Sequence, residues 1–233
     1  MMTTALQKQS SGHAFWLAAA CAGAVVLALT ACASASKPAD WQLEAKGATE
    51  RSVTAYLQGN SRVEAVEFAR ARAAVSSTGQ VELIARVELL RCASHVASLV
   101  FEPCAGFENL RQDAPVVERA YADYLTAVLQ PQDVALLPPQ QRTALSGGDT
   151  AVKSITDPLS QLVAAGVAFQ SGRASPVLVQ LAIDTASSQG WRRPLLAWLD
   201  VQASLLDKSG LTEEAARVRR RIALAQGDLK AVR

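Results

Sequence analysis

The chain has 233 residues, enough for one large domain or two small ones. Half of it is apolar and 19% is charged, which excludes a fully disordered chain, because such chains combine few apolar residues with high net charge. Its 23 Lys+Arg stand against 21 Asp+Glu. A net +2 is too weak a field to hold nucleic acid by counterion release, so no nucleic-acid partner is expected.

Residues 1–12 are short and polar, with Lys8 as the one full side-chain charge, and residues 14–29 read AFWLAAACAGAVVLAL without a charge. A basic start, an apolar middle and small residues at the exit make the pattern of a secretory signal. Leu29, Thr30, Ala31 and Cys32 follow. This stretch resembles the lipobox of bacterial lipoproteins, a Leu, two small residues and a Cys. Small residues suit a narrow peptidase pocket, and the thiol is the group that can be alkylated.

The resemblance covers the first 32 residues. It implies a diacylglyceryl group on the Cys32 sulfur, cleavage before Cys32 and acylation of the new N-terminus. Residues 1–31 are then a signal peptide, and residues 32–40 are the lipidated Cys and a small, polar, Pro-containing tether. In Gram-negative lipoproteins an Asp directly after the Cys tends to retain the protein in the inner membrane. Here that residue is Ala33, so the resemblance implies the outer membrane, on its periplasmic face. Several acyl chains suffice to hold a protein on a bilayer, at about 0.8 kcal/mol per buried CH₂. The competing reading is a transmembrane anchor, because residues 14–36 are uncharged and about 20 apolar residues span a bilayer. The strongly apolar part stops at Leu29, however, and small residues then lead into Lys37-Pro38.

Loss of residues 1–31 removes Cys21 and His13, and lipid takes Cys32. Cys92 and Cys104 remain. An oxidising periplasm favours a disulfide between them, contributing about 3 kcal/mol for a short loop in the chain-entropy model. The alternatives are two buried free thiols or a metal pair. His95 is the one histidine left, which makes zinc poor in ligands. No metal and no cofactor are expected.

The rest reads as helix after helix. Residues 41–57 form a first helix ended by Gly59-Asn60. Ser61 and Glu64 have capping-box spacing and open a second helix reaching about residue 75, with Gly79 beyond it. The third helix covers about 80–100. Leu83, Val87, Leu90 and Ala97 lie on one stripe, and Ala85, Leu89, Cys92, Val96 and Leu99 lie roughly opposite, at 100° per residue. One stripe suffices for a surface helix; two place this helix between neighbours. Asp113-Ala114-Pro115 opens a fourth helix reaching about residue 129.

Residues 130–156 hold Pro131, Pro138, Pro139, Gly147 and Gly148. They read as a connection, with room for a short helix at about 140–145, between an N-terminal helical half (41–129) and a C-terminal half (157–233). Asp157-Pro158 and Ser175-Pro176 each place a cap before a Pro, opening helices that reach about 170 and 190. Pro194 starts another, ended by Ser209-Gly210. It carries Leu196, Leu199, Ala203 and Leu206 on one side and Trp198, Val201 and Leu205 on a second. Thr212 caps the last helix, whose inward stripe is Leu211, Ala215, Val218, Ile222 and Ala225. No run alternates like a strand. The fold class is all-α, in short antiparallel hairpins.

The spacing Ala203-x₂-Leu206-x₃-Gly210-x₄-Ala215 is similar to a tetratricopeptide helix pair, and residues 59–65 echo the turn at 210–215. The likeness is best over about 195–224. The 34-residue period of that family is not held and its closing Pro is missing. It implies a stacked array of hairpins; another helical bundle is the alternative, because any helical hairpin favours Gly in its turn and Ala at its contacts.

Chemistry is sparse. His95 falls beside Glu88 and Arg91 on the polar strip of the third helix, where it is either a general base oriented by Glu88 or a histidine among charged neighbours at a surface or helix interface. No G-x-S-x-G, H-E-x-x-H, P-loop or G-x-G-x-x-G is present in the sequence. The carboxylates of Glu44, Glu50, Asp123 and Asp133 form no signature of a wall-cleaving glycosidase. Arg217, Arg219, Arg220 and Arg221 form the densest basic run, suited either to anionic lipid heads or an acidic partner, or to a solvated face with Glu213 four residues before Arg217. Trp41, Trp191 and Trp198 remain after processing, and Trp198 sits at core spacing. The expectation is a non-catalytic lipoprotein, anchored to the bilayer through Cys32, with a helical module that binds a protein partner in the cell envelope. The rivals are an envelope hydrolase working near His95 and a structural lipoprotein without a dedicated ligand.

Overall fold

Proline and glycine punctuate this sequence, and helices fill the intervals. The computed structural model describes residues 38–227. Among them the chain forms α1 (Asp40–Gln58), α2 (Ser61–Ser76), α3 (Val81–Ala97), a single turn α4 (Ala105–Glu108) and α5 (Val116–Leu125). A 3-10 turn (Pro131–Leu136) leads to α6 (Pro139–Lys153), α7 (Pro158–Gln170), α8 (Pro176–Ser188), α9 (Arg192–Lys208) and α10 (Thr212–Gln226). No strand occurs among the described residues. The fold is an all-α array. No described helix is long and apolar enough to cross a membrane.

Local chemistry accounts for most boundaries. Asp157 accepts a hydrogen bond from the Ser160 amide at 2.7 Å, and Ser175 accepts one from the Leu178 amide at 3.1 Å. Each satisfies an orphan donor of its helix, with Pro filling the next position. The expected capping box at Ser61 and Glu64 is replaced by a cap one residue earlier. Asn60 Oδ1 accepts from the Val63 amide at 3.2 Å, and the Glu64 carboxylate turns inward to Arg91. Thr212 is likewise the first helical residue of α10 and not its cap; Leu211 holds that position without a side-chain bond. The third and fourth expected helices, which are α3 and α5, stop earlier than their patterns suggest. Leu99 and Ala127 leave them in the left-handed region, at φ 58° and 59°.

Residues 130–156 differ most from expectation. The 3-10 turn and α6 fill most of the stretch, and α6 packs on α7 and α8. The break falls inside α6, where Gly148 has φ 60° and ψ −151°. The described residues from Asp40 onward belong to one compact unit. The two helical halves therefore share a core.

Helix α3 is its centre. It packs against α1 and α2 on one side and against α5 and α7 on the other. Its two apolar stripes divide between two clusters only in part, because Ala97 of the first stripe joins the larger core and Leu90 lines the groove toward α5. Val87, with Leu83 beside it, joins Ala45, Ala48, Ala71 and Val75 from α1 and α2. Ala85, Leu89 and Val96 join the larger core with Leu162, Val163 and Val167 of α7, Ile183 of α8, and Trp198 and Leu199 of α9. The approach of α7 is close enough to need glycine. A Cβ on Gly166 would lie 2.4 Å from the Val96 carbonyl oxygen.

Candidate functional site

Leu29, Thr30, Ala31 and Cys32 lie outside the described residues. Cys92 and Cys104 stand at disulfide-bonding distance, with Cα atoms 5.9 Å apart, inside the span of about 4.4–6.8 Å that a bridge tolerates. The bond returns the chain after α3 onto that helix. Among the described residues no group of three or more His, Cys, Asp or Glu is placed to hold a metal ion.

The four arginines of α10 are spent unevenly. Arg217 pairs with Glu214 at 3.4 Å, in place of the expected Glu213. Arg219 forms an ion pair with Asp207 of α9. Arg221 Nη2 donates to the Ser187 hydroxyl of α8 at 3.4 Å. Arg217, Arg219 and Arg220 are exposed. The run thus ties α10 to its neighbours while keeping an exposed basic edge.

His95 is not oriented by Glu88. The two residues share a face of α3 but stand two turns apart, roughly 10 Å along the axis. Glu88 accepts instead from Arg72 Nε of α2 at 2.7 Å. The imidazole stacks on the Tyr56 ring of α1, with centroids 4.3 Å apart and planes 12° apart. Arg193 of α9 joins them. Its guanidinium lies 4.3 Å from the Tyr56 centroid, and its Nε donates to the Tyr56 carbonyl at 2.8 Å. His95 Nε2 is buried without a hydrogen-bond partner. Burial, then the nearby Arg91, lowers its pKa below the ordinary 6.5, with Glu64 and Glu102 opposing. These surroundings favour the neutral imidazole. The neighbouring Ser94 and Ser98 hydroxyls donate to the carbonyls of Arg91 and Ser94. Nucleophile and base are therefore not joined here as a catalytic pair requires.

A set of ion pairs between buried glutamates and partly exposed arginines went unread in the sequence. Glu64, Glu67, Glu88 and Glu118 are 4, 7, 5 and 5% exposed, a rare state for an unpaired carboxylate. Each meets an arginine of an adjacent helix. Glu64 pairs with Arg91 at 2.7 Å, Glu67 with Arg51 at 2.9 Å, Glu88 with Arg72 at 2.7 Å and Glu118 with Arg86 at 2.9 Å. These pairs join α1 to α2, α2 to α3 and α3 to α5. One signal was available. Glu64, Glu67, Ala71 and Val75 follow the helical period of one inward stripe.

Several concavities open among the described residues, and two of them combine apolar walls with charged side chains. A groove of about 350 Å³ lies between α3 and α5, floored by Leu89, Leu90 and Tyr121, with Val117 and Pro138 at its sides. A cavity of about 240 Å³ lies at the break in α6, bounded by Tyr124, Asp149, Ala164, Val167, Arg173 and Leu178 among others. Tyr124 is held as a neutral phenol, since burial raises its pKa, and its hydroxyl donates to Gln141. The chain matches no protein-family model, no curated protein and no solved structure.

Proposed function

We propose that the protein is a lipid-anchored lipoprotein of the bacterial cell envelope whose helical domain is a binding module and not an enzyme. The observation that carries this reading is the order of parts in the chain. An uncharged apolar stretch ends in Leu29-Thr30-Ala31-Cys32, and a helical domain begins at Asp40. Acylation of Cys32 would leave residues 33–39 as a short tether on the periplasmic face of the outer membrane. The bridge between Cys92 and Cys104 suits the same oxidising compartment. Support for binding over catalysis comes from how the polar side chains are used. Glu88 is engaged with Arg72, and His95 is engaged in a ring stack.

A stacked array of helical hairpins offers partners long, concave surfaces, and tetratricopeptide-like stacking of α9 on α10 is part of this proposal. Gly210 turns between these helices, and Ala203 and Ala215 are buried at 5% and 0% exposure. Treatment of Gram-negative cells expressing the protein with globomycin should accumulate the uncut precursor. Cys32→Ser should abolish both lipid labelling and the cleavage. A Cys32→Ser protein still processed to the same mass would refute the anchor. Crosslinking in intact cells, read by mass spectrometry, should capture one envelope complex reproducibly, and capture of none would refute the binding module.

A further inference from the structure

The cavity at the break in α6 is lined by two opposite charges that form no ion pair with each other. Asp149 is half-buried in its wall, and one carboxylate oxygen accepts from the Ser175 hydroxyl. No cation among the described residues pairs with Asp149. Arg173 lines the same cavity from the turn after α7, and its Nη1 reaches the Leu145 carbonyl at 3.5 Å. It has no carboxylate partner among the described residues. Asp149 is half-buried and Arg173 exposed, so both can meet a ligand that enters from solvent.

Much of the remaining lining is apolar. Val152, Ala164, Val167 and Leu178 are each 4% exposed or less. The space of about 240 Å³ exceeds the roughly 150 Å³ cavity that accepts a benzene ring in a protein core. The backbone at its mouth is unusual as well. Gly148 adopts φ 60° and ψ −151°, a conformation close to glycine-only, and such residues cluster at binding sites. A Cβ on its neighbour Gly147 would lie 2.5 Å from that of Ala151. Gly148 thus breaks α6 beside the cavity, and Gly147 leaves room for Ala151.

From this geometry we infer that the cavity is a binding site for a free amino acid with an apolar side chain. The α-carboxylate meets Arg173, the α-ammonium meets Asp149, and the side chain lies against Val167 and Leu178. A lone carboxylate would leave Asp149 beside an anion, and a lone amine would leave Arg173 beside a cation. A zwitterion satisfies both. Arginine suits the carboxylate because its planar fork can donate two parallel bonds. The inference is independent of the lipid anchor and adds a small ligand to the binding module.

Isothermal titration calorimetry on the full chain in detergent tests it, with L-leucine as the probe at millimolar concentration. L-leucine should bind at a single site. N-acetyl-leucine lacks the ammonium and leucinamide lacks the carboxylate; each should bind more than about tenfold more weakly, the scale of one lost charge-assisted bond. Arg173→Gln and Asp149→Asn should weaken leucine to the same degree while far-UV circular dichroism is unchanged. No heat with leucine would overturn the site. Equal binding of N-acetyl-leucine, or leucine binding untouched by Arg173→Gln, would overturn the zwitterion assignment.

Discussion

The Trp198 indole donates its N–H to the Ala97 carbonyl at 3.1 Å, across 101 residues of chain. Ala97 is the last residue of α3, so its carbonyl is one of the orphan acceptors that every helix end leaves. Trp198 is fully buried and lies edge-on to Phe169 with centroids 5.7 Å apart. The C-terminal end of α3 is where the rest of the fold converges. Trp198 bonds it, Gly166 lies against Val96, Tyr56 stacks on His95, and the bridge to Cys104 returns the chain to it.

Trp198→Phe keeps an aromatic ring but strands the Ala97 carbonyl in the core. A buried acceptor without its donor costs about 1–3 kcal/mol, and the smaller ring adds a cavity cost. Urea denaturation should show a loss of at least about 2 kcal/mol. A midpoint unchanged from the parent protein would show that the bond carries no stability.

Gly166→Ala should be costlier than any exposed Gly→Ala change. Its added Cβ would sit 2.4 Å from a backbone oxygen, which no rotamer change relieves. Separation of α7 from α3 should cost about 1–3 kcal/mol. Thermal melts of Gly166→Ala and Gly166→Ser should both fall, with serine the lower. A melting temperature equal to the parent's would contradict the close approach.

Periodicity and punctuation made the helices legible. Asp157-Pro158 and Ser175-Pro176 are local signals with local causes, and both caps form. The double stripe of α3 placed it between neighbours, as it packs, but it set Leu90 and Ala97 on the wrong side. The inside of α6 was not legible, because Pro131, Pro138, Pro139 and the glycine pair resemble a linker until tertiary packing holds the short segments in place. Nor was the partner of Glu88. The sequence placed it with His95 on one face, but the choice of Arg72 depends on how α2 is turned against α3. The helix ends at Leu99 and Ala127 went unseen for the opposite reason: no glycine marks them.

Ala127 offers a stabilising change. It is exposed and holds φ 59°, while its amide and that of Val128 bond back to Tyr124 and Asp123 at 3.0 and 2.9 Å. A left-handed conformation costs a residue with a Cβ about 1–2 kcal/mol. Glycine removes that strain and loses about 0.5–1 kcal/mol through unfolded-chain entropy. Ala127→Gly should therefore raise stability by about 0.5–1 kcal/mol, read from the urea midpoint. A destabilised variant would mean that the helix end is set by other contacts.

The Glu64–Arg91 pair tests whether the buried glutamates hold α2 on α3. Glu64 is 4% exposed, and its carboxylate accepts from Arg91 Nε at 2.7 Å. Arg91 also lies 4.5 Å from the Phe68 centroid. Glu64→Gln should cost about 1.5–3 kcal/mol, the scale of a hydrogen bond to a charged group. A double-mutant cycle with Arg91→Met should give a coupling of at least about 0.5 kcal/mol. Additive losses would mean that the two residues stabilise the fold separately.

His95 makes stability depend on pH. Tyr56 of α1, Glu64 of α2, Arg91 of its own helix, Glu102 in the following loop and Arg193 of α9 face it. Burial and Arg91 hold its folded pKa below the unfolded value near 6.5. The unfolded chain therefore takes up the proton first. Above about pH 6.5 the full contribution is present; as pH falls through the unfolded pKa, stability declines, levelling off below the folded pKa. Urea unfolding between about pH 7.5 and pH 5 should show this decline. His95→Phe keeps a ring against Tyr56 and removes the titration, so its stability should change less over the same interval. Equal slopes for parent and variant would assign the pH dependence to the carboxylates.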